Sequence, residues 1–426
     1  MKKYDMQLTE ENLVDSIEQD YLGRNKKISK LIDILNSLTS NVVISIDGNW
    51  GTGKTIFVKQ LELINKKDKL NALNIESIQK FKDNYIVFYY NAWENDMHDS
   101  PLLSLIYNLI NAYPKEKKQT IDGKVQMPFD LKELLKTITG NSVDLDKVTS
   151  FEDISKEIFT VEEKRNALNQ LLRNIIPEDK KLLFIVDELD RCKPSFAVHL
   201  IETLKHFFSN DNIVFIVSTN NEQLSYTINN YYGTNFDGYS YLNKFYDLII
   251  ELDEIDKEKY LSKVYNINKT HQFWNYSLFA IIDYFNLNMR EINRILSDYD
   301  LLGNYFQTSY GFYEEDMIVK HVFLPYCLGL KVHNKNKLSL FLNGKGKNEL
   351  LEFVLEEEKI KKIVEREIPR TSIQREITEE NIVEFVTRRY NHYFTKKKDN
   401  TYESDYNKEF FLDTFSLLGD FTKTDI

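Results

Sequence analysis

Five short runs of β-branched and aromatic residues restrict the fold of this chain more than any other feature of its sequence. They are Val42–Asp47, Tyr85–Tyr90, Leu182–Asp187, Ile213–Ser218 and Leu248–Leu252. Each run is nearly continuous in apolar residues, which is typical of strands buried on both faces of a parallel sheet. Stretches with helical periodicity fill the gaps between the runs. The sequence therefore predicts an α/β fold built on a parallel sheet.

The same patterns predict how the chain is divided. A chain of 426 residues is longer than a single hydrophobic core usually supports, so appended parts are expected. We expect a core at residues 1–254, which contains a helical insert or loop at 95–180. Amphipathic helical segments then predict a lid at 255–316 and a mostly helical C-terminal region at 317–426.

Composition limits the classes of partner and the compartment. The 55 Lys and Arg residues against 66 Asp and Glu residues give a net charge of −11, which argues against extensive electrostatic binding to nucleic acid or anionic lipid. The two cysteines, Cys192 and Cys327, are too few for a disulfide framework or a zinc cluster. No apolar run reaches the roughly 18 residues of a membrane span. We expect a soluble, cytoplasmic protein without membrane insertion.

The segment GNWGTGKT follows the first apolar run and precedes a helical stretch. It fits the phosphate-binding pattern G-x-x-x-x-G-K-[ST] in the setting that this pattern requires, and the alternative is a glycine turn without a ligand. Glycines let successive N–H groups point at phosphate oxygens, and the helix that follows adds the positive end of its dipole. We expect Lys54 to contact the β- and γ-phosphates and Thr55 to ligate Mg²⁺. The expected nucleotide contacts are Gly48, Asn49, Trp50, Gly51, Thr52, Gly53, Lys54, Thr55 and Ile56.

The segment LLFIVDELDRC supplies carboxylates at the end of a second predicted strand. Asp187 ends this strand and is placed to contact Mg²⁺, whereas Glu188 is the candidate base that polarises the attacking water. The alternative is that these carboxylates cap the next helix. Arg191 follows closely and must stand near the nucleotide, where it pairs with Asp190 or acts on a neighbouring subunit.

These two motifs, together with DYLGR at Asp20–Arg24, NAWEND from Asn91 and YLNKF at Tyr241–Phe245, occur in an order that resembles the KAP P-loop NTPases. The resemblance implies an ASCE-type P-loop NTPase core in which the strand Ile213–Ser218 lies between the loop strand and the metal-binding strand. Many relatives carry a membrane-spanning insert behind the Asn-Ala-Trp strand, and the polar, amphipathic stretch from Glu94 to Lys181 implies a soluble member without one. The Lys-, Ile-, Asn- and Tyr-rich composition suggests a bacterial genome rich in A and T.

The resemblance also implies roles for residues outside the two motifs. Thr219 and Asn220 would lie beside the γ-phosphate as a sensor, although many relatives carry an Asp in this region and Asn220 is also a common turn former. Arg290 and Arg294 are four apart on one helix face, in a position that resembles the lid of related ATPases, where an Arg contacts the γ-phosphate. The alternative for this arginine pair is a solvated surface.

Three further features have competing interpretations. Asn91 ends a strand at the edge where open α/β sheets bind ligands, so it either orients the attacking water or shapes a turn. Trp50 and Trp93 are expected to pack and shape the loop in preference to stacking on a base. The stretch Arg388–Lys398 interleaves Tyr390, Tyr393 and Phe394 with cations, which suits either single-stranded nucleic acid or a helix end followed by a solvated loop.

The sequence thus predicts a Mg²⁺-dependent ATP-binding and ATP-hydrolysing NTPase that acts as a conformational or assembly switch. The expected partners are ATP, other copies of the chain in an ATP-dependent homo-oligomer, and a protein encoded nearby. At the level of the family, bacterial relatives linked to phage exclusion suggest a role in antiphage defence. One alternative is a DNA- or RNA-associated ATPase that uses its C-terminal region, which the charge does not favour, and another is a nucleotide-gated scaffold with negligible turnover.

Overall fold

The computed structural model describes residues 7–67, 70–112, 119–121, 124–126, 168–169, 172–173, 176–207, 212–233, 235–267, 273–308, 317–369 and 377–395. These residues form two compact units, one within Leu8–Ile255 and one that comprises Gln7 and the described residues of Asp256–Ile426. Most of the insert expected at 95–180 and the lysines at the end of the Arg388–Lys398 stretch lie outside the described residues.

A five-stranded parallel sheet forms the centre of the first unit. The strands among the described residues are β1 (Val42–Asp47), β2 (Tyr85–Asn91), β3 (Gln119–Ile121), β4 (Lys124–Gln126), β5 (Lys181–Asp187), β6 (Ile213–Thr219) and β7 (Leu248–Glu251). The sheet has the order β2-β5-β6-β1-β7, whereas β3 and β4 pair with each other as a separate antiparallel ribbon. The predicted α/β class is confirmed, and β6 lies between the loop strand β1 and the carboxylate strand β5, as the family resemblance implied.

The central strands are buried because helices cover both faces of the sheet. Every residue of β6 is buried, as are the last six of β5. Phe184 of β5 packs against Phe215 of β6, with ring centroids 5.5 Å apart. This continuous burial explains why Leu182–Val186 of β5 and Ile213–Val217 of β6 are apolar at consecutive positions instead of at alternate positions.

Helices connect the strands of the first unit. They are α1 (Glu10–Glu18), α2 (Asn25–Ser37), α3 (Lys54–Lys66), α4 (Ile75–Asn84), α5 (Pro101–Ala112), α6 (Pro194–Phe207), α7 (Asn221–Tyr232) and α8 (Gly238–Asn243). Side-chain caps begin several of them: the oxygen of Thr9 accepts the N–H of Asn12 in α1, and that of Asn74 accepts the N–H of Ser77 in α4. Such caps satisfy N–H groups that have no partner within the helix, so they define where each helix begins.

The second unit is helical throughout its described residues. Its helices are α9 (Lys257–Tyr265), α10 (Phe273–Tyr284), α11 (Met289–Thr308), α12 (Leu324–His333), α13 (Lys335–Leu342), α14 (Lys347–Glu356), α15 (Glu358–Glu367) and α16 (Glu379–Phe394), and a π-helical turn at Val319–Phe323 leads into α12. Helices α10 and α11 both pack on α12, so segments on either side of residue 316 share this unit. Tyr326, Phe341 and Phe353 are fully buried in its aromatic core.

The aromatic residues of the Arg388–Lys398 stretch belong to this core. Tyr390, Tyr393 and Phe394 lie on α16 and are 0%, 3% and 4% exposed. The Tyr390 hydroxyl donates to the Phe341 carbonyl at 2.7 Å. The interpretation that these rings stack on nucleic-acid bases is therefore wrong, because burial and hydrogen bonding hold them inside the unit.

Among the described residues, every helix is too short or too polar to cross a bilayer.

Candidate nucleotide site

The phosphate-binding loop connects the end of β1 to the start of α3. Gly51 and Gly53 have φ values of 89° and 85°, a left-handed conformation that costs little free energy only for glycine. Gly53 also occupies the N-cap of α3. These conformations curl the loop over the helix N-terminus, where unpaired N–H groups and the helix dipole favour an anion.

The first glycine of the loop is required by packing. A Cβ at Gly48 would lie 2.8 Å from Thr52 Oγ1 and 3.4 Å from the Leu252 carbonyl oxygen. Thr52 Oγ1 is itself fixed, since it donates to the Asn49 carbonyl at 2.8 Å. A side chain at Gly48 would therefore push the loop away from its conformation.

The ammonium group of Lys54 lies back against this loop. It donates to the carbonyl oxygens of Gly48 at 2.5 Å and Asn49 at 3.2 Å. Burial lowers the pKa of Lys54, and the nearby carboxylates of Asp190, Asp187 and Asp47 oppose that shift. The cation thus lies among the carboxylates that end β1 and β5 and the carboxylate of Asp190 in the turn after β5, where a phosphate oxygen can replace its carbonyl partners.

Arg24, the last residue of the DYLGR motif, holds the loop from the other side. Its guanidinium Nη2 donates to the Thr52 carbonyl at 2.9 Å and to the Asp253 carbonyl at 2.5 Å. The residue is 4% exposed, and burial lowers its pKa against the opposing charges of Asp253 and Asp20. Arg24 was not predicted as a site residue, although the motif that contains it was noticed.

Asp187 lies at the carboxyl end of β5, next to the phosphate-binding loop. It is 1% exposed, and its Oδ2 accepts a hydrogen bond from the Tyr89 hydroxyl at 3.0 Å. Ser218 of β6 is paired in register with Asp187, so both side chains are on the same face of the sheet. The Ser218 Oγ is fully buried and has no hydrogen-bond partner among the described residues.

This arrangement suits a small divalent cation. Mg²⁺ prefers carboxylate, hydroxyl and water oxygens. The buried Ser218 hydroxyl has no hydrogen-bond partner among the described residues and lies beside the buried Asp187 carboxylate, so both groups have oxygen lone pairs that a cation can use. Thr55 lies in the first turn of α3, directly after Lys54. The buried oxygens of Asp187 and Ser218 therefore fit Mg²⁺, whereas ligation by Thr55 stays a prediction. Ser218 was not predicted from the sequence.

Glu188 has a strained backbone. Its φ and ψ of 61° and 29° are left-handed, which costs a residue with a Cβ roughly 1–2 kcal/mol. Its carboxylate Oε1 lies 2.7 Å from Arg191 Nη1. Backbone strain of this kind is concentrated at functional sites, where the surrounding structure maintains it.

Of the two alternatives for Arg191, pairing with Asp190 is wrong, because its guanidinium pairs with Glu188. Action on a neighbouring subunit stays a prediction. A single 3-10 turn at Leu189–Arg191 places the side chains of Glu188 and Arg191 on one side, because residues three apart eclipse in such a turn. Asp190 turns toward the phosphate-binding loop instead, where its Oδ2 accepts a hydrogen bond from Trp50 Nε1 at 2.6 Å.

The two tryptophans of the site are surface residues. Trp50 and Trp93 are 47% and 50% exposed, so neither is a buried packing partner. Trp50 nevertheless ties the loop to the Leu189–Arg191 turn through its bond to Asp190, and the Arg191 guanidinium lies 5.5 Å from the centre of the Trp93 ring.

Asn91 shapes a turn at the end of β2. Its Oδ1 accepts the N–H groups of Trp93 at 3.1 Å and Glu94 at 3.3 Å. Its Nδ2 donates to Glu94 Oε1 at 3.0 Å and lies 3.5 Å from Glu188 Oε2. The structure thus shows the turn-forming role of Asn91, and its contact with attacking water stays a prediction.

The two expected sensor residues differ in their surroundings. Asn220 caps α7, since its Oδ1 accepts the Gln223 N–H at 3.1 Å. Thr219 is paired in register with Asp47, and its buried Oγ1 has no hydrogen-bond partner among the described residues. Of the two, Thr219 retains an unused hydroxyl, whereas the Asn220 side chain already has a structural role.

Arg290 and Arg294 lie on α11 and are exposed. They belong to the second unit, so their contact with a nucleotide stays a prediction.

The sequence and fold of this chain were compared with those of known proteins and protein families. The chain is 26% identical over 143 residues to an uncharacterized protein of Methanocaldococcus jannaschii, an alignment that covers 34% of this chain and 63% of the archaeal protein. A solved structure of Drosophila ORC bound to DNA aligns over 97% of this chain and 99% of its own, with 15% identity and a TM-score of 0.32, a likeness too weak to support a functional conclusion. The model of the KAP family P-loop domain matches residues 24–306, which is more than half of the chain. This chain therefore belongs to the KAP family and carries its P-loop domain.

Proposed function

We propose that this chain binds ATP and hydrolyses it in a Mg²⁺-dependent reaction, and that the nucleotide state switches its conformation or assembly. The observation that carries the proposal is the position of Lys54. Its ammonium lies on the phosphate-binding loop within the electrostatic influence of Asp47, Asp187 and Asp190. A loop for phosphates, a mobile cation and strand-end carboxylates are the parts that phosphoryl transfer to water requires.

Each residue has a definite task in this proposal. The N–H groups from Gly48 to Thr55 hold the phosphates, and Lys54 contacts the β- and γ-oxygens. Asp187 and Thr55 hold Mg²⁺, which neutralises charge on those oxygens when it is bound. Glu188 accepts a hydrogen bond from the attacking water and takes its proton at a carboxylate oxygen. Arg191, beside Glu188, is placed to stabilise charge on the transferred group.

Nucleotide binding is tested with Lys54→Ala. The variant removes the cation that contacts the β/γ-oxygens, so we expect it to abolish ATP binding measured by calorimetry. Lys66→Ala is a matched control, because Lys66 lies on the same helix and its ammonium pairs with Glu62 at 2.7 Å on the surface. Unchanged ATP affinity in Lys54→Ala would refute the assignment of the loop.

Turnover separates an enzyme from a nucleotide-gated scaffold. We expect phosphate release from ATP by the wild-type chain, dependent on Mg²⁺ and lost in Lys54→Ala. ATP binding with no measurable phosphate release would favour the scaffold.

We further propose that ATP drives assembly of copies of the chain. Sedimentation with and without a non-hydrolysable ATP analogue tests this, and the same monomeric species in both conditions would refute it. Turnover per subunit should also rise with protein concentration.

For the biological setting we propose antiphage defence, on the basis of family members linked to phage exclusion. Bacteria that express the wild-type chain with its neighbouring genes should plate phage less efficiently than bacteria that express Lys54→Ala. Equal plating in the two strains would argue against this setting.

A further inference from the structure

Tyr89 is a residue beside the site that has no part in the proposed reaction. It lies near the end of β2 and is paired in register with Ile185 of β5. Asp187 lies two residues further along β5, so its side chain is on the same face of the sheet. The Tyr89 hydroxyl donates to Asp187 Oδ2 at 3.0 Å.

The ring of Tyr89 is fixed by a second contact. The Lys59 ammonium lies 3.2 Å from the centre of the ring, and Lys59 also pairs with Glu62 at 2.9 Å. Lys59 and Glu62 belong to α3, the helix that carries Lys54 and Thr55 in its first turn. The phenol is therefore held between the helix of the phosphate-binding loop and the carboxylate of β5.

The hydroxyl of Tyr89 is the donor in its contact with Asp187, because a carboxylate oxygen only accepts. The bond thereby restricts the rotation of the carboxylate about its Cβ–Cγ bond and leaves the other oxygen for a cation.

We propose that Tyr89 is a positioning residue for the divalent cation, which acts by orienting the Asp187 carboxylate. The inference rests on the proposed function, because the cation in question is the one that accompanies ATP. Partners that orient a metal ligand typically change metal affinity by about 10- to 100-fold when they are removed. The hydroxyl of Tyr89 is the group that this structure assigns to that task.

The test is Tyr89→Phe, which removes one oxygen and keeps the ring under Lys59. Tyr90→Phe is the matched control. Tyr90 is the next residue of β2, its side chain is on the opposite face, and its hydroxyl forms a 2.9 Å hydrogen bond with Ser104 Oγ. Both variants lose one tyrosine hydroxyl and one hydrogen bond from the same strand, but only one of them contacts Asp187.

Mn²⁺ is the probe, and its binding is measured by electron paramagnetic resonance with a saturating non-hydrolysable ATP analogue. We expect Tyr89→Phe to weaken Mn²⁺ binding by about 10- to 100-fold. Affinity for the analogue in excess EDTA should stay at the wild-type value. Turnover of the variant should recover as the metal concentration is raised, because the lesion is in metal affinity.

Several results would overturn the inference. Wild-type Mn²⁺ affinity in Tyr89→Phe, or an equal loss in Tyr90→Phe, would show that the hydroxyl has only a structural role. If Tyr89→Phe does not fold, Lys59→Gln replaces it: release of the ring should then weaken Mn²⁺ binding, and an unchanged affinity would refute the proposal. If the wild-type chain binds no nucleotide, the proposed function fails as well, which differs from failure of the Tyr89 role alone.

Discussion

Arg191 Nη1 lies 2.7 Å from Glu188 Oε1, in a turn where Glu188 itself has a left-handed backbone. The proposed base and its cationic partner are thus three positions apart in the chain. The Glu188 side chain is only 14% exposed and the Arg191 side chain only 26% exposed. This pairing keeps the guanidinium beside the proposed base, so Arg191 is in direct contact with the proposed catalytic group.

We predict that Arg191→Ala lowers turnover by about 10³-fold with little change in ATP affinity, the magnitude typical of an arginine that stabilises the transferred phosphoryl group. Steady-state phosphate release and calorimetry measure the two quantities. Lys193→Ala is the control, since the Lys193 ammonium contacts the Met97 sulfur at 3.1 Å and no role is assigned to it. A faster reaction in Arg191→Ala would mean that the pair restrains Glu188.

Glu188→Gln should bind ATP normally and hydrolyse it about 10²- to 10⁴-fold more slowly, because the amide cannot accept the proton of the attacking water. Asp187 and Lys54 are unchanged in this variant, so the affinity for ATP should be retained. Glu202→Gln is a suitable control: Glu202 accepts the Tyr232 hydroxyl at 2.8 Å and is not part of the site. Turnover equal to wild type would move the base to Asp190, because the neutral amide of Asn91 cannot take a proton either.

Gly48→Ala should reduce the free energy of unfolding by about 1–3 kcal/mol, the usual cost of overpacking, and weaken ATP binding. The cause is the contact of the new Cβ with Thr52 Oγ1, which would be 2.8 Å. Chemical denaturation of Gly48→Ala, Thr52→Ala and the double variant tests this cause, because removing Oγ1 should relieve part of the strain. Simple additivity of the two single effects would show that the strain arises elsewhere, such as at the Leu252 carbonyl.

His321 should make the second unit less stable in acid. Burial, with a smaller effect of Lys320, lowers its pKa from 6.5 to about 4. Between these values the unfolded chain binds a proton that the folded chain does not, so the free energy of unfolding falls as the pH falls from 6.5 toward 4. The largest possible loss is about 3 kcal/mol.

Replacement of His321 by Met, which adapts to irregular core space, should make this pH dependence shallower. Thermal unfolding of both proteins at several pH values measures the difference. Carboxylates present in both proteins contribute equally to the two pH dependences, so the difference reports on His321. Parallel curves for His321→Met and the wild type would contradict the assignment.

Local sequence patterns determined the elements of the P-loop domain. The strand β1 matched its prediction at both ends, and β2 and β6 extend the predicted runs by one residue, to Asn91 and Thr219. These predictions succeeded because a strand covered on both faces of a parallel sheet has apolar residues at consecutive positions, and such a run can be recognised in the sequence. The phosphate-binding loop was also predictable from its glycines, because the left-handed φ values at Gly51 and Gly53 favour glycine over other residue types.

Contacts between distant segments were decided only by the tertiary structure. Tyr89 reaches Asp187 across 98 residues of chain and Trp50 reaches Asp190 across 140. No local period encodes such pairs, because they depend on strand order, on register and on the direction in which a short turn projects each side chain. The same reason explains the partner of Arg191 and the burial of Tyr390: the sequence determined which residue types were available, and the packing of helices and strands decided which of their atoms meet.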